Sequence, residues 1–206
     1  MKLMYSPTSP FARRVRVAAA ELGLAERLQL EVVHVAPGRE NAQFAATVNP
    51  LRKIPALLLD DGVTVLFDST VICEYLDQLA GGRLLPAGAA RWPVLTRQAL
   101  ALGMTEALVL SRYENWLRPE ALRWSQWTQD QEDRFWRGLD WFERHAAATL
   151  TGPRSLDLSQ IALACCLGYA DFRFAAFDWP IRAPGVAAWY RGFAARPSMA
   201  ATVPPP

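Results

Sequence analysis

The sequence predicts an α+β half over residues 1–80 and an all-helical half over residues 89–206, joined by a linker at 81–88. Three observations predict it. Short Val- and Leu-rich runs and a hairpin signal are confined to the first half. Helical periodicity alone remains in the second. Between them, Gly81-Gly82-Arg83-Leu84-Leu85-Pro86-Ala87-Gly88 has the composition of a linker.

In order, Lys2 to Tyr5 is a short strand, and Pro7 and Pro10 flank a turn. Phe11, Val15, Ala18 and Leu22 recur at helical spacing, and Gly23 stops that helix. Leu28 to Val35 reads as a second strand, followed by a loop with room for a helix. Ala56 to Leu59 and Val63 to Phe67 are apolar runs around Asp60-Asp61-Gly62, a hairpin signal. Asp68-Ser69 opens a helix carrying Val71, Ile72, Tyr75, Leu76 and Leu79. Two strands linked by a helix, then a hairpin and a helix, is the order of a thioredoxin-like fold, with the first two strands parallel. Beyond the linker, helices are expected over Trp92 to Trp116, Asp130 to Leu150, Leu158 to Phe174 and Val186 to Ala195. The Pro204-Pro205-Pro206 tail is expected to fray.

Composition narrows the function classes. Hydrophobic residues make up 51% and charged residues 20% of 206, a globular balance. A formal charge of +2 supplies no field for nucleic acid or a membrane surface. The three cysteines, Cys73, Cys165 and Cys166, form neither a disulfide framework nor a zinc pattern, so no metal is expected. The N-terminus lacks a signal-peptide core, and no apolar run approaches the roughly 20 residues of a membrane span. A cytoplasmic protein is expected.

Three local patterns carry chemistry. Ser9-Pro10-Phe11 starts the first helix, and a serine followed by proline is a favoured cap. Capping is the plain alternative to a catalytic role. The same position lets a hydroxyl hold an anion at the positive end of a helix. A free thiol ionises near pH ~8.5, and lowering that by about two units takes about 2.7 kcal/mol. A hydrogen bond to a charged group supplies roughly 1.5–3 kcal/mol, and the helix end up to ~2 kcal/mol. Together they suffice to ionise a bound thiol.

Lys53-Ile54-Pro55 precedes a strand. A cis Ile54–Pro55 bond would expose the Ile54 backbone to a peptide ligand at the sheet edge; an ordinary trans proline opening the strand is the alternative. Asp68-Ser69 caps the next helix. As a ligand clamp, Asp68 would pair with an ammonium, and Ser69 would hold the carboxylate of the same amino-acid group.

In order and spacing, Ser9-Pro10-Phe11 with Val15-Arg16, Asn49-Pro50 with Lys53-Ile54-Pro55, and Phe67-Asp68-Ser69 with Ile72 and Glu74-Tyr75-Leu76 resemble the glutathione S-transferase superfamily, as a bacterial serine-type member. Leu150-Thr151-Gly152 with Asp157 to Ala162 extends the resemblance into the second half, as the family's buried helix and its capping box. The resemblance implies that Ser9 activates the thiol of glutathione as co-substrate and that Ile54 pairs its backbone with the cysteinyl part beside Pro55. It implies that Asp68 and Ser69 hold the γ-glutamyl end, that Lys53 lies near a glutathione carboxylate, and that Phe11 belongs to the same site. It further implies a homodimer, a cleft between the halves and a role in detoxification. Asp68 departs from the commoner Glu, and Asp157 and Gln160 replace the usual capping pair. A serine in place of the cysteine of omega-like and beta-like members disfavours a mixed-disulfide mechanism; Ser6 and Thr8 are alternative hydroxyls.

Met104, Val109, Tyr113 and Trp116 are the candidates for a pocket holding a small hydrophobic electrophile, with Trp124 and Trp127 in a following loop. Arg112 suits an acidic substrate or a solvated face. Arg13, Arg14 and Arg16 are expected on an exposed face with one buried salt bridge, and His34 and His145 as structural residues. The leading activity is glutathione conjugation. The alternatives are a non-catalytic glutathione-binding or protein-interaction member, or a glutathione-dependent isomerase, dehalogenase or peroxidase.

Overall fold

The computed structural model describes residues 1–150 and 156–205. Its contacts divide the chain into two units, Met1–Pro86 with Pro197–Pro206, and Ala87–Arg196. The last ten residues therefore group with the first unit, where the sequence pattern put them with the helical half.

The first unit runs β1 (Lys2–Tyr5), α1 (Pro10–Glu21), β2 (Gln29–Val32), α2 (Ala42–Thr47), β3 (Ala56–Leu58), β4 (Val65–Leu66) and α3 (Ser69–Leu79). The four strands lie in the order β2-β1-β3-β4. β1 and β2 are parallel, joined through α1, and the other two pairings are antiparallel. Central β1 is covered on both faces. Met4 packs with Phe44 of α2 and Ala56 of β3. Leu3 points the other way, paired with Leu57 across the ladder, and both are fully buried. The β3–β4 hairpin closes on Asp61, whose Oδ1 accepts the amide hydrogens of Val63 and Thr64.

α10 (Pro197–Ala200) closes this unit by packing on α1. Arg13 donates to Met199 O at 3.1 Å and to Thr202 Oγ1 at 3.3 Å, which fixes the residues just before the terminal prolines. Arg16 donates to Ala201 O and lies over the Tyr5 ring.

The second unit is helical throughout its described residues: α4 (Arg91–Leu117), α5 (Ser125–Arg144), α6 (Ala146–Thr149), α7 (Leu158–Arg173), α8 (Trp179–Arg182) and α9 (Pro184–Ala194), with short 3-10 turns. The expected Asp130–Leu150 helix starts five residues earlier and breaks at His145, so Trp127 lies within α5 rather than a loop. α7 is buried continuously from Leu158 to Ala170, as expected of a helix apolar all round, and α4 packs against it and against α5. Asp157 starts α7 with a reciprocal capping box: its side chain accepts from the amides of Ser159 and Gln160, and the Gln160 side chain accepts from the Asp157 amide. Arg97 Nη2 meets Asp157 Oδ2 at 3.2 Å, tying α4 to the start of α7. Thr151 and Gly152, part of the sequence resemblance, lie outside the described residues.

Candidate active site

Strand register alone brings the three sequence patterns of the first unit to one end of the sheet. Met4, next to the last residue of β1, lies opposite Ala56, the first residue of β3. Leu66, the last residue of β4, lies opposite Leu57. The segment leading from β1 to Ser9, the Ile54–Pro55 segment entering β3, and the Phe67-Asp68-Ser69 segment leaving β4 therefore share that end.

Ser9 caps α1. Its Oγ accepts the Ala12 amide hydrogen at 3.2 Å, with Pro10 in the first turn behind it. The cap uses the oxygen's lone pair, and the hydroxyl proton stays available to an acceptor beyond the helix. Ser6 Oγ and Thr8 Oγ1 lie 3.2 Å apart and pair with each other. Phe11 is half-buried in the first turn.

The Ile54–Pro55 peptide is cis, and Pro55 is buried. The preceding turn is fastened by Asn49, only 2% exposed. Asn49 Nδ2 donates to Lys53 O at 2.8 Å, and its Oδ1 accepts from the Leu51 amide at 3.0 Å. Arg52 within that turn has φ +54°, in the left-handed region. The Lys53 side chain is exposed. At the third segment, Asp68 caps α3 by accepting the Thr70 amide hydrogen at 2.8 Å. Ser69 is 3% exposed and its Oγ accepts from Arg14 Nη1 at 3.1 Å.

Arg14 is the residue whose placement overturns the sequence reading. It was expected on an exposed face of α1, with one buried salt bridge among the three arginines. Arg14 is 1% and Arg13 7% exposed, and they donate to the hydroxyls of Ser69, Thr70 and Thr202 and to the Met199 carbonyl. A signal for this was present. At about 100° per residue, Arg14 falls between Val17 and Ala18 on the helix circumference, well inside the apolar arc. Asn49 entered only as part of a motif; its buried fastening role had no separate signature.

In the second unit, Val109, Tyr113 and Trp116 fall within about 60° of one another around α4, and Met104 about 120–180° away. The packing follows. Met104 is 2% exposed and faces Gly138 of α5 in the helical core. Val109 is half-buried against that core, and Trp116 is 51% exposed. Burial raises the Tyr113 phenol above its ordinary value and pushes Tyr169 of α7 up to about 12, against the opposing pull of Arg173. Arg112 lies over the Trp116 ring, 5.3 Å from its centroid. Trp124 is exposed at the start of α5. The three thiols are buried, and burial raises Cys73 and pushes Cys166 up to about 12. Among the described residues no group of three or more His, Cys, Asp or Glu could hold a metal. No helix among them is long and apolar enough to cross a membrane.

Comparison with known proteins agrees with this architecture. Residues 3–84 match the glutathione S-transferase N-terminal domain and residues 125–192 the C-terminal domain. The chain is 32% identical over 210 residues to the uncharacterized GST-like protein YibF of Escherichia coli K12, covering 100% of this chain and 99% of that protein. A glutathione transferase family member from Pseudomonas fluorescens Pf-5, solved with bound glutathione, is 42% identical with a TM-score of 0.93 over 100% of this chain and 99% of that one. A structure from the same organism with bound S-(propanoic acid)-glutathione is 42% identical with a TM-score of 0.89, covering 100% of both chains. Both matched domains, in order along the chain and over the folds they describe, make this protein a member of the glutathione S-transferase superfamily.

Proposed function

We propose that this protein is a glutathione transferase. The Ser9 hydroxyl donates a hydrogen bond to the glutathione thiolate, which attacks a small hydrophobic electrophile. The observation that carries this reading is the convergence of Ser9, Ile54–Pro55 and Asp68–Ser69 at one end of the sheet. The Ile54 backbone pairs with the cysteinyl part beside cis Pro55, and Phe11 belongs to the same glutathione site. Lys53 sits by a glutathione carboxylate. Asp68 takes the γ-glutamyl ammonium, while Ser69 and the α3 N-terminus take its carboxylate. The bound thiol gives its proton to water, the sulfur bonds to the electrophilic carbon, and the leaving group or conjugated system takes the electron pair.

The glutathione-bound relative supports the ligand. The relative holding S-(propanoic acid)-glutathione supports a site that accommodates a carbon substituent on the sulfur, as conjugation requires. Val109, Tyr113 and Trp116 are the proposed contacts for the electrophile; Met104 is proposed to act behind them as core. Family membership also supports a homodimer acting in the cytoplasm in detoxification. Calorimetric titration with glutathione, followed by a spectrophotometric screen of electrophiles of several reaction types, tests the reading. Micromolar to millimolar binding with thioether formation is expected. Absence of both would reject it.

A further inference from the structure

We propose that Arg14 is a positioning residue for the carboxylate of the γ-glutamyl group, acting through Ser69; the inference rests on the glutathione reading above. Two independent observations meet at this point. The first is the start of α3, an 11-residue helix whose first-turn amides lack carbonyl partners within the helix, Asp68 accepting that of Thr70. The second is a guanidinium 1% exposed beneath it, donating from Nη1 to Ser69 Oγ at 3.1 Å and Thr70 Oγ1 at 3.4 Å. Its Nε and Nη2 have no hydrogen-bond partner among the described residues.

Burying a charge with unmet donors is costly, so a fold that keeps one invites a reason. The hydroxyls supply it. A hydroxyl that accepts from a cation directs its own proton away from that cation. Arg14 thus turns Ser69, and more weakly Thr70, into outward donors at the positive end of α3. Asp68, the N-cap beside them, gives one oxygen to the Thr70 amide and has a second for an ammonium. Positive and negative groups side by side match the carboxylate and ammonium of one α-carbon. At 1% exposure, Arg14 orients the donor and adds charge from below without touching the ligand.

The test compares glutathione with γ-aminobutyryl-cysteinyl-glycine, which lacks only the α-carboxylate. Calorimetric affinities are measured for wild type, Arg14→Gln, Arg14→Lys and Ser69→Ala. Arg14→Gln should lose about tenfold on glutathione and less than twofold on the analogue. Arg14→Lys, which keeps the charge and one donor, should stay within about threefold of wild type on both. A merely structural role would weaken both ligands alike; that result, or no loss on either, overturns the inference. If Arg14→Gln fails to fold, Ser69→Ala decides, since it keeps Arg14 and removes the hydroxyl through which it acts. Ser69→Ala must then lose most of the discrimination between the two peptides, and retained discrimination overturns the inference. Wild type binding neither peptide overturns the glutathione reading and this inference with it. Wild type binding glutathione while Arg14→Gln matches it overturns this inference alone.

Discussion

Ser9 Oγ accepts the Ala12 amide hydrogen at 3.2 Å, so the side chain that starts α1 has its donor free and its acceptor engaged. That arrangement separates two roles that one substitution removes together. Ser9→Ala should cost about 1 kcal/mol of stability through the lost cap. It should also lower kcat for conjugation by about 10–100-fold, the worth of a hydrogen bond to a charged sulfur, with glutathione affinity changed far less. Ser9→Thr should restore much of both. Steady-state kinetics beside urea unfolding reads the two effects, and unchanged kcat in Ser9→Ala would remove Ser9 from the mechanism.

How much of this could be read from the sequence follows from the physics of each element. The order of strands and helices was legible because periods of 2 and 3.6 and the Asp60-Asp61-Gly62 turn are local signals. The starts of α1, α3 and α7 were legible for the same reason: Ser9, Asp68 and Asp157 each cap with their own side chain. Strand ends were less so. β2 stops at Val32 and β4 covers only Val65–Leu66, because ladder bonds with a neighbour set those limits. Arg14 carries two opposed signals: helical rotation puts it between Val17 and Ala18 on the apolar arc, while its charge argues for solvent. Met104 was grouped with Val109, Tyr113 and Trp116 by nearness in sequence, although helical rotation sends it to α5.

Gly138 is required by Met104. A Cβ there would sit 2.5 Å from Met104 Cγ and Sδ. Gly138→Ala gains about 0.8–1.0 kcal/mol of helix propensity. Overpacking in a filled core costs about 1–3 kcal/mol. The variant should therefore be less stable by about 1 kcal/mol, seen as a lower urea midpoint with an unchanged slope. Stability at or above wild type would show that Met104 swings aside freely.

Asp157 joins a cap to an ion pair. It accepts from two amides of α7 and from Arg97, which is only 7% exposed. Asp157→Ala removes a cap worth about 1 kcal/mol and leaves a buried guanidinium without its carboxylate, so about 2–4 kcal/mol should be lost. Asp157→Asn keeps an acceptor for the amides and should lose roughly half as much. Chemical unfolding of the pair reads the difference. Equal losses would mean that the cap contributes nothing and that the ion pair with Arg97 carries the whole effect.

Glu114, near the end of α4, gives a prediction with a pH window. Its carboxylate accepts the Trp124 amide hydrogen at 3.0 Å and Arg118 Nε at 2.7 Å. The Trp124 amide first, and then Arg118, hold its carboxyl below the ordinary range. A depressed folded-state value means that the unfolded chain binds the proton more tightly. The stabilisation is then full above the unfolded value of about 4.3 and is lost as pH falls through the lower folded one. Glu114→Gln should unfold at lower urea than wild type at pH 7, and the gap should narrow steadily below about pH 4. Urea midpoints at pH 7 and at about pH 3.5 measure it. A gap that is the same at both would mean that Glu114 stabilises by shape alone, since only the ionised carboxylate holds both the turn amide and Arg118.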